Sequence, residues 1–133
     1  MGKPAILCID DERIILDSLR TQIRTEFQSQ YLTEFAESAE EAFEVIDELN
    51  ESEVQVLVVI SDWLMPDMKG DELLVKIHQK FPRTVKILLT GHVEEGAISN
   101  AKRNANLYAC LSKPWRKEDL LNTIKEGIAS VNN

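Results

Sequence analysis

The chain has 133 residues, of which 44% are hydrophobic and 29% charged, and it carries a net charge of −8. That length suits one globular domain that buries about two-thirds of the surface its unfolded form exposes, and no apolar stretch approaches the ~20 residues of a membrane span. The acidic balance argues against direct nucleic-acid binding, which calls for Lys and Arg facing the phosphates, and Met1-Gly2-Lys3-Pro4 lacks the long apolar core of a signal peptide.

Short apolar runs alternate with helical periodicities five times along the chain. The run at 5–9 predicts a strand, and Ile15, Leu19, Ile23 and Phe27 follow at four-residue spacing, as on one face of a helix. The run at 31–36 is more mixed, as an edge strand would be. Ser38-Ala39-Glu40-Glu41 reads as a capping box, with Ser38 accepting a backbone N–H and Glu41 reaching back. The stripe Ala39, Ala42, Phe43, Ile46 and Leu49 continues that helix. Residues 54–61 are almost all apolar and β-branched, which predicts a central parallel strand covered on both faces. Leu73, Leu74 and Ile77 mark a third helix, which Phe81-Pro82 stops. A strand at 84–90 and a helix with Ala97, Ile98, Ala101 and Ala105 come next. A strand at 107–112 and a helix with Leu120, Leu121, Ile124, Ile128 and Val131 close the chain. Cys8 and Cys110 both lie inside apolar runs, which predicts buried, reduced thiols in a cytoplasmic protein. Five such units predict a three-layer, doubly wound α/β sandwich around a parallel sheet. The whole of 1–133 reads as one domain, alone or as the N-terminal part of a longer protein.

Four of the runs end in polar residues: Asp10-Asp11, Asp62, Thr90 and Lys113-Pro114. In a parallel sheet these termini share one edge, where ligands of such folds bind. Singly, each residue has an ordinary explanation. Asp10 and Asp11 can cap a helix, Asp62 can serve a turn, Thr90 can open a helix and Lys113 can lay its stem on Trp115. Three clustered carboxylates, however, repel one another unless protons or a cation neutralise them. Mg²⁺ suits such oxygen ligands, and no pair of His or Cys stands at zinc-like spacing. With Mg²⁺ bound, one carboxylate can attack phosphorus and form an aspartyl phosphate. Lys113 supplies positive charge and the Thr90 hydroxyl a donor to the phosphoryl group.

The segments Ile-Asp10-Asp11-Glu, Ser-Asp62-Trp-Leu-Met-Pro-Asp-Met-Lys-Gly, Leu-Leu-Thr90-Gly91 and Leu-Ser-Lys113-Pro114-Trp together resemble the receiver domain of two-component response regulators, over almost the whole chain. The resemblance implies a flavodoxin-like, five-stranded parallel sheet in the order 2-1-3-4-5 with five helices. It implies Asp62 as phosphoacceptor, with Asp11, Asp62 and the Leu64 backbone carbonyl ligating Mg²⁺ and Asp10 acting through water. It further implies that Lys113 contacts the phosphoryl group and is followed by a cis bond to Pro114, and that Gly91 leaves the site open. A histidine kinase or phosphotransfer protein would be the donor, and an output domain or downstream protein the recipient of the signal. Ile14, Pro114 and Trp115 would be docking residues, although for Trp115 packing at a helix start is the somewhat stronger reading. Leu64 and His92 occupy the positions that tune hydrolysis, with slow self-dephosphorylation expected because Leu64 cannot hold water; simple packing of Leu64 is the other reading. Lys-Pro-Trp-Arg with Glu-Asp-Leu downstream resembles receivers attached to larger effectors, including cyclic-nucleotide and cyclic-di-GMP enzymes. Homodimerisation through the face from the fourth to the fifth helix occurs in such proteins.

One position departs from the pattern. Receivers usually carry an aromatic three residues before the lysine, as partner to the switching Thr90, and Cys110 stands there. Tyr108 falls on the same strand face by alternation and is a substitute. Two other classes compete with the signalling receiver. An aspartate-nucleophile phosphatase would carry a second Asp where Leu64 stands. A phosphate-independent interaction module would have lost an acidic residue or the lysine, and neither is lost here. The chain is therefore expected to be no enzyme beyond slow self-phosphorylation and self-dephosphorylation.

Overall fold

The computed structural model describes residues 3–91 and 94–132. Five strands, β1 (Ala5–Ile9), β2 (Leu32–Ala36), β3 (Val56–Asp62), β4 (Val85–Thr90) and β5 (Ala109–Ser112), pair in parallel in the order β2-β1-β3-β4-β5. Five helices alternate with them: α1 (Arg13–Phe27), α2 (Ala39–Glu51), α3 (Gly70–Lys80), α4 (Glu95–Asn104) and α5 (Lys117–Asn132). This is the doubly wound sandwich the alternation predicts, with the continuous run of β3 at the centre and the mixed β2 at one edge. No described helix is long and apolar enough to cross a membrane.

Side-chain alternation along the strands divides the interior into two cores. Ile6, Cys8, Val58, Ile60, Ile87 and Leu89 meet the stripes of α1 and α5. Leu7, Ile9, Val59 and Leu88 meet α2, α3 and the end of α4. Because both faces are covered, the inner strands need apolar residues at every position. Apart from the polar strand ends, Lys86 departs from this: it lies within β4 at 1% exposure, its ammonium 2.6 Å from His78 Nδ1 and 3.0 Å from the Pro82 carbonyl oxygen. Burial draws its pKa down to about 8.

The strand boundaries fall later than the apolar runs that announce them. Glu53 and Asn106 adopt left-handed backbone, with φ of 60° and 53°, so the residues before β3 and β5 are spent in turns. The helix stop at Phe81 is observed, its N–H bonding to the Ile77 carbonyl at the end of α3. The Ser38 cap also forms, its hydroxyl accepting the Glu41 N–H at 3.1 Å. The reciprocal half differs from expectation: Glu41 takes the Glu37 N–H, and Asp67 from the distant β3–α3 loop takes those of Ala39 and Glu40. Both cysteines are free, but only Cys8 is buried. Cys110 is half-buried because β5 is an edge strand, and that part of the expectation is corrected.

Candidate functional site

The carboxyl ends of β1, β3, β4 and β5 form one cleft of about 560 Å³, lined by Asp11, Asp62, Leu64, Thr90 and Lys113 among others. Backbone bonds between neighbouring strand ends fix this meeting. Trp63 N–H donates to the Leu89 carbonyl at 3.2 Å, and Lys113 N–H to the Thr90 carbonyl at 2.9 Å. Asp10 is fully buried beneath the cleft, its Oδ1 accepting the Glu12 N–H at 2.8 Å.

Lys113 reaches from the end of β5 into this acidic group. Its Nζ lies 2.7 Å from Asp10 Oδ2 and 2.9 Å from Asp62 Oδ1, with Glu12 at 3.8 Å. Burial alone would draw the lysine pKa down, but its bonds to Asp10 and Asp62 outweigh burial and push it up. The ammonium therefore stays charged. Asp62, only 5% exposed, is pushed from 3.8 up to about 6, mainly by burial; Asp10 and Asp11 add to the rise and Lys113 opposes it. One ammonium does not balance three carboxylates whose oxygens lie within 4.8 Å of one another. An all-oxygen donor set with unbalanced negative charge fits a hard divalent cation such as Mg²⁺. Asp10, Asp11 and Asp62 are the side chains that would hold it.

The loop after Asp62 is held from three sides. Gly70 N–H donates to the Trp63 carbonyl at 2.7 Å, and a β-carbon at Gly70 would overlap the Asp62 carbonyl oxygen. Only glycine permits this close return of the chain. Asp67 spans to α2, and its bonds from the Glu40 and Ala39 N–H groups outweigh burial to hold its carboxyl below the usual range. The third hold is the indole of Trp63, which donates to Asp71 at 2.9 Å. These tethers were missed in the sequence, although the Gly-rich close approach and an Asp ahead of a helix carry part of the signal.

The remaining candidates divide. Leu64 is 48% exposed and lines the cleft. Gly91 flanks the cleft, and a methyl there would meet only Lys113 Cβ, at 4.0 Å. The Lys113–Pro114 bond is cis. Ile14 is 79% exposed beside the cleft and Pro114 is exposed. Trp115 instead packs against the α1–α5 core and donates to Gln22 Oε1 at 2.8 Å, so the packing reading fits it. His92 lies outside the described residues. Tyr108 is partly exposed; its ring edge lies near Gly127 of α5, and it lines a pocket with Thr90, Gly91 and Cys110, while Cys110 packs on the α2–α4 side. Tyr108 immediately precedes β5, and its N–H donates to the Lys86 carbonyl of β4 at 2.8 Å.

Residues 6–125 match the family model of the response regulator receiver domain. The chain belongs to that family. Among curated proteins it is similar to the hydrogenase transcriptional regulatory protein HoxA of Cupriavidus necator, at 28% identity over 92% of this chain and 24% of that protein. It is also similar to the uncharacterized transcriptional regulatory protein YesN of Bacillus subtilis, at 35% identity over 95% of this chain and 33% of that protein. The chain thus spans a quarter to a third of the length of these relatives. Among solved structures, the signal receiver domain of an HD domain-containing protein from Pseudomonas fluorescens Pf-5 superimposes with a TM-score of 0.87 at 31% identity, covering 98% of each chain. A receiver domain is a signalling module of two-component systems, and the strand-end acidic cluster is where this family binds Mg²⁺.

Proposed function

We propose that Asp62 is the phosphoacceptor of this receiver and that the strand-end cleft carries out the transfer. The observation that supports this most is the contact of the Lys113 ammonium with the Asp62 carboxylate, at 2.9 Å beside two further carboxylates. A carboxylate oxygen of Asp62 attacks phosphorus of a phosphohistidine; the O–P bond forms, the P–N bond breaks, and imidazole leaves with the electron pair. Lys113 neutralises oxygens of the transferring group, and the Thr90 hydroxyl donates to one of them. Asp11, Asp62 and the Leu64 carbonyl would hold Mg²⁺, with Asp10 acting through water, and the ion would supply the positive charge that three carboxylates need before an anionic group can enter. The burial that raises Asp62 to about 6 leaves the carboxylate ionised above neutral pH and weakly solvated, as a nucleophile should be.

The donor is a histidine kinase or histidine phosphotransfer protein that docks over Ile14 and Pro114, with Trp115 supporting Pro114 from the core. The domain works in the cytoplasm as the receiving part of a longer regulator, or by binding a downstream protein, and it turns over no substrate of its own. Leu64 slows loss of the phosphoryl group because it cannot hydrogen-bond the attacking water. The experiment is transfer of a radiolabelled phosphoryl group from a phosphorylated histidine phosphotransfer protein. A label on the wild type that hydroxylamine removes, and its absence from Asp62→Ala, is expected. A label that persists in Asp62→Ala would overturn the assignment.

A further inference from the structure

Asp71 is a buried charge that the strand-end cleft does not use. It lies in the first turn of α3 at 7% exposure. A carboxylate there is commonly solvated or turned to free helix amides, and a buried one requires partners. Its partners come from two other segments. One oxygen accepts the indole Nε1–H of Trp63 at 2.9 Å, and the other accepts the Asn100 carboxamide of α4 at 2.7 Å. Asn100 in turn accepts from Asn104 at 2.7 Å, one helical turn further along α4.

The other end of this chain of bonds touches the site. Trp63 follows Asp62 directly, and both its N–H and its carbonyl are engaged, with Leu89 and Gly70. The Lys69 ammonium sits 5.0 Å over the indole ring from the other side. The indole is therefore fixed to the peptide next to Asp62, and any shift of that peptide is passed to Asp71. Meanwhile Cys110 has no ring to offer, and Tyr108 is partly exposed at the edge of the sheet, near Gly127 of α5.

We propose that Asp71 is a positioning residue that couples the Asp62–Trp63 backbone to α4, through Trp63 on one side and Asn100 on the other. The inference rests on the reading of Asp62 as phosphoacceptor and names the residues through which its state is read. Both bonds are charge-assisted and directional, so α4 either follows the indole or loses a bond to a buried carboxylate. Such an element has two arrangements whose balance the phosphoryl group biases.

The test is hydrogen exchange of α4 with and without beryllofluoride and Mg²⁺, in the wild type, Asn100→Ala, Trp63→Phe and the double variant. Occupancy is followed separately by fluorine NMR. In the wild type, exchange across 95–104 should change about threefold or more on beryllofluoride binding, the scale of gaining or losing one hydrogen bond. At equal occupancy, each single variant should lose most of that change, and the double variant should lose no more than either. A purely structural Asp71 network would instead raise exchange equally in both states and leave the ratio intact, which would overturn the proposal. So would a wild type that binds beryllofluoride without a response in α4. Failure of the wild type to bind beryllofluoride at all would overturn the phosphoacceptor reading, and this inference with it.

Discussion

Replacing Asp62 by Asn should make the protein more stable at pH 8 without added Mg²⁺, even though it removes the proposed phosphoacceptor. Asp62 is a buried carboxylate among other carboxylates, and its pKa rises from 3.8 to about 6 on folding. Between those pH values the folded state keeps a proton that the unfolded chain has released, so stability falls as pH rises through that window. Above it, the penalty is fully present. At about 1.4 kcal/mol per pH unit the penalty is at most ~3 kcal/mol, and relaxation and water penetration around the cleft bring it to about 1–3 kcal/mol. Asn keeps the shape without the charge, and Lys113 retains Asp10 at 2.7 Å. Urea denaturation at pH 8 and pH 4 is the assay. The gain should be present at pH 8 and nearly absent at pH 4. Millimolar Mg²⁺ should raise the midpoint of the wild type far more than that of Asp62→Asn, because ligand binding to the folded state stabilises it. An Asp62→Asn protein no more stable than wild type at pH 8, or a gain that is the same at both pH values, would refute the reasoning.

Gly70→Ala should cost more than ~4 kcal/mol or abolish folding, because the added methyl meets the Asp62 carbonyl, backbone that cannot yield; soluble yield and circular dichroism report it. Lys86→Met should stabilise by about 1–3 kcal/mol at pH 7, since burial lowers the lysine to about 8 and the charged form is penalised below that value. The gain should shrink as pH rises from 8 toward 10.5, and thermal melts at pH 7 and pH 10 check it. Asp67→Ala should cost about 1 kcal/mol, the ordinary worth of a helix cap, by freeing two N–H groups of α2; urea midpoints measure this.

Much of this architecture is readable from periodicity, because parallel strands covered on both faces must be apolar throughout while their helices are not. The polar residue that ends each run is therefore conspicuous, and Asp10, Asp62, Thr90 and Lys113 do converge. Tyr108 stands one residue before β5, held beside β4 by its N–H to the Lys86 carbonyl. Cys110 was placed in the interior because it sits inside an apolar run, although the expected order 2-1-3-4-5 already put its strand at an edge, where one flank is open. Asp67 and Asp71 were not legible as tethers. All but one of the partners named for them lie 27 to 29 residues away, the exception being Trp63 eight residues before Asp71, and such contacts depend on the path of the β3–α3 loop rather than on any local pattern. Lys86 interrupts the apolar run of β4, and no local pattern announces its His78 and Pro82 partners.

The central claim is that the strand-end carboxylates, Lys113 and a divalent cation make Asp62 a phosphoacceptor. Intact mass after incubation with acetyl phosphate, with and without Mg²⁺, tests it most directly when wild type and Asp62→Asn are compared. One phosphoryl adduct on the wild type that requires Mg²⁺ and is absent from Asp62→Asn is predicted. An adduct of equal yield on Asp62→Asn, or one formed equally well without Mg²⁺, would contradict it.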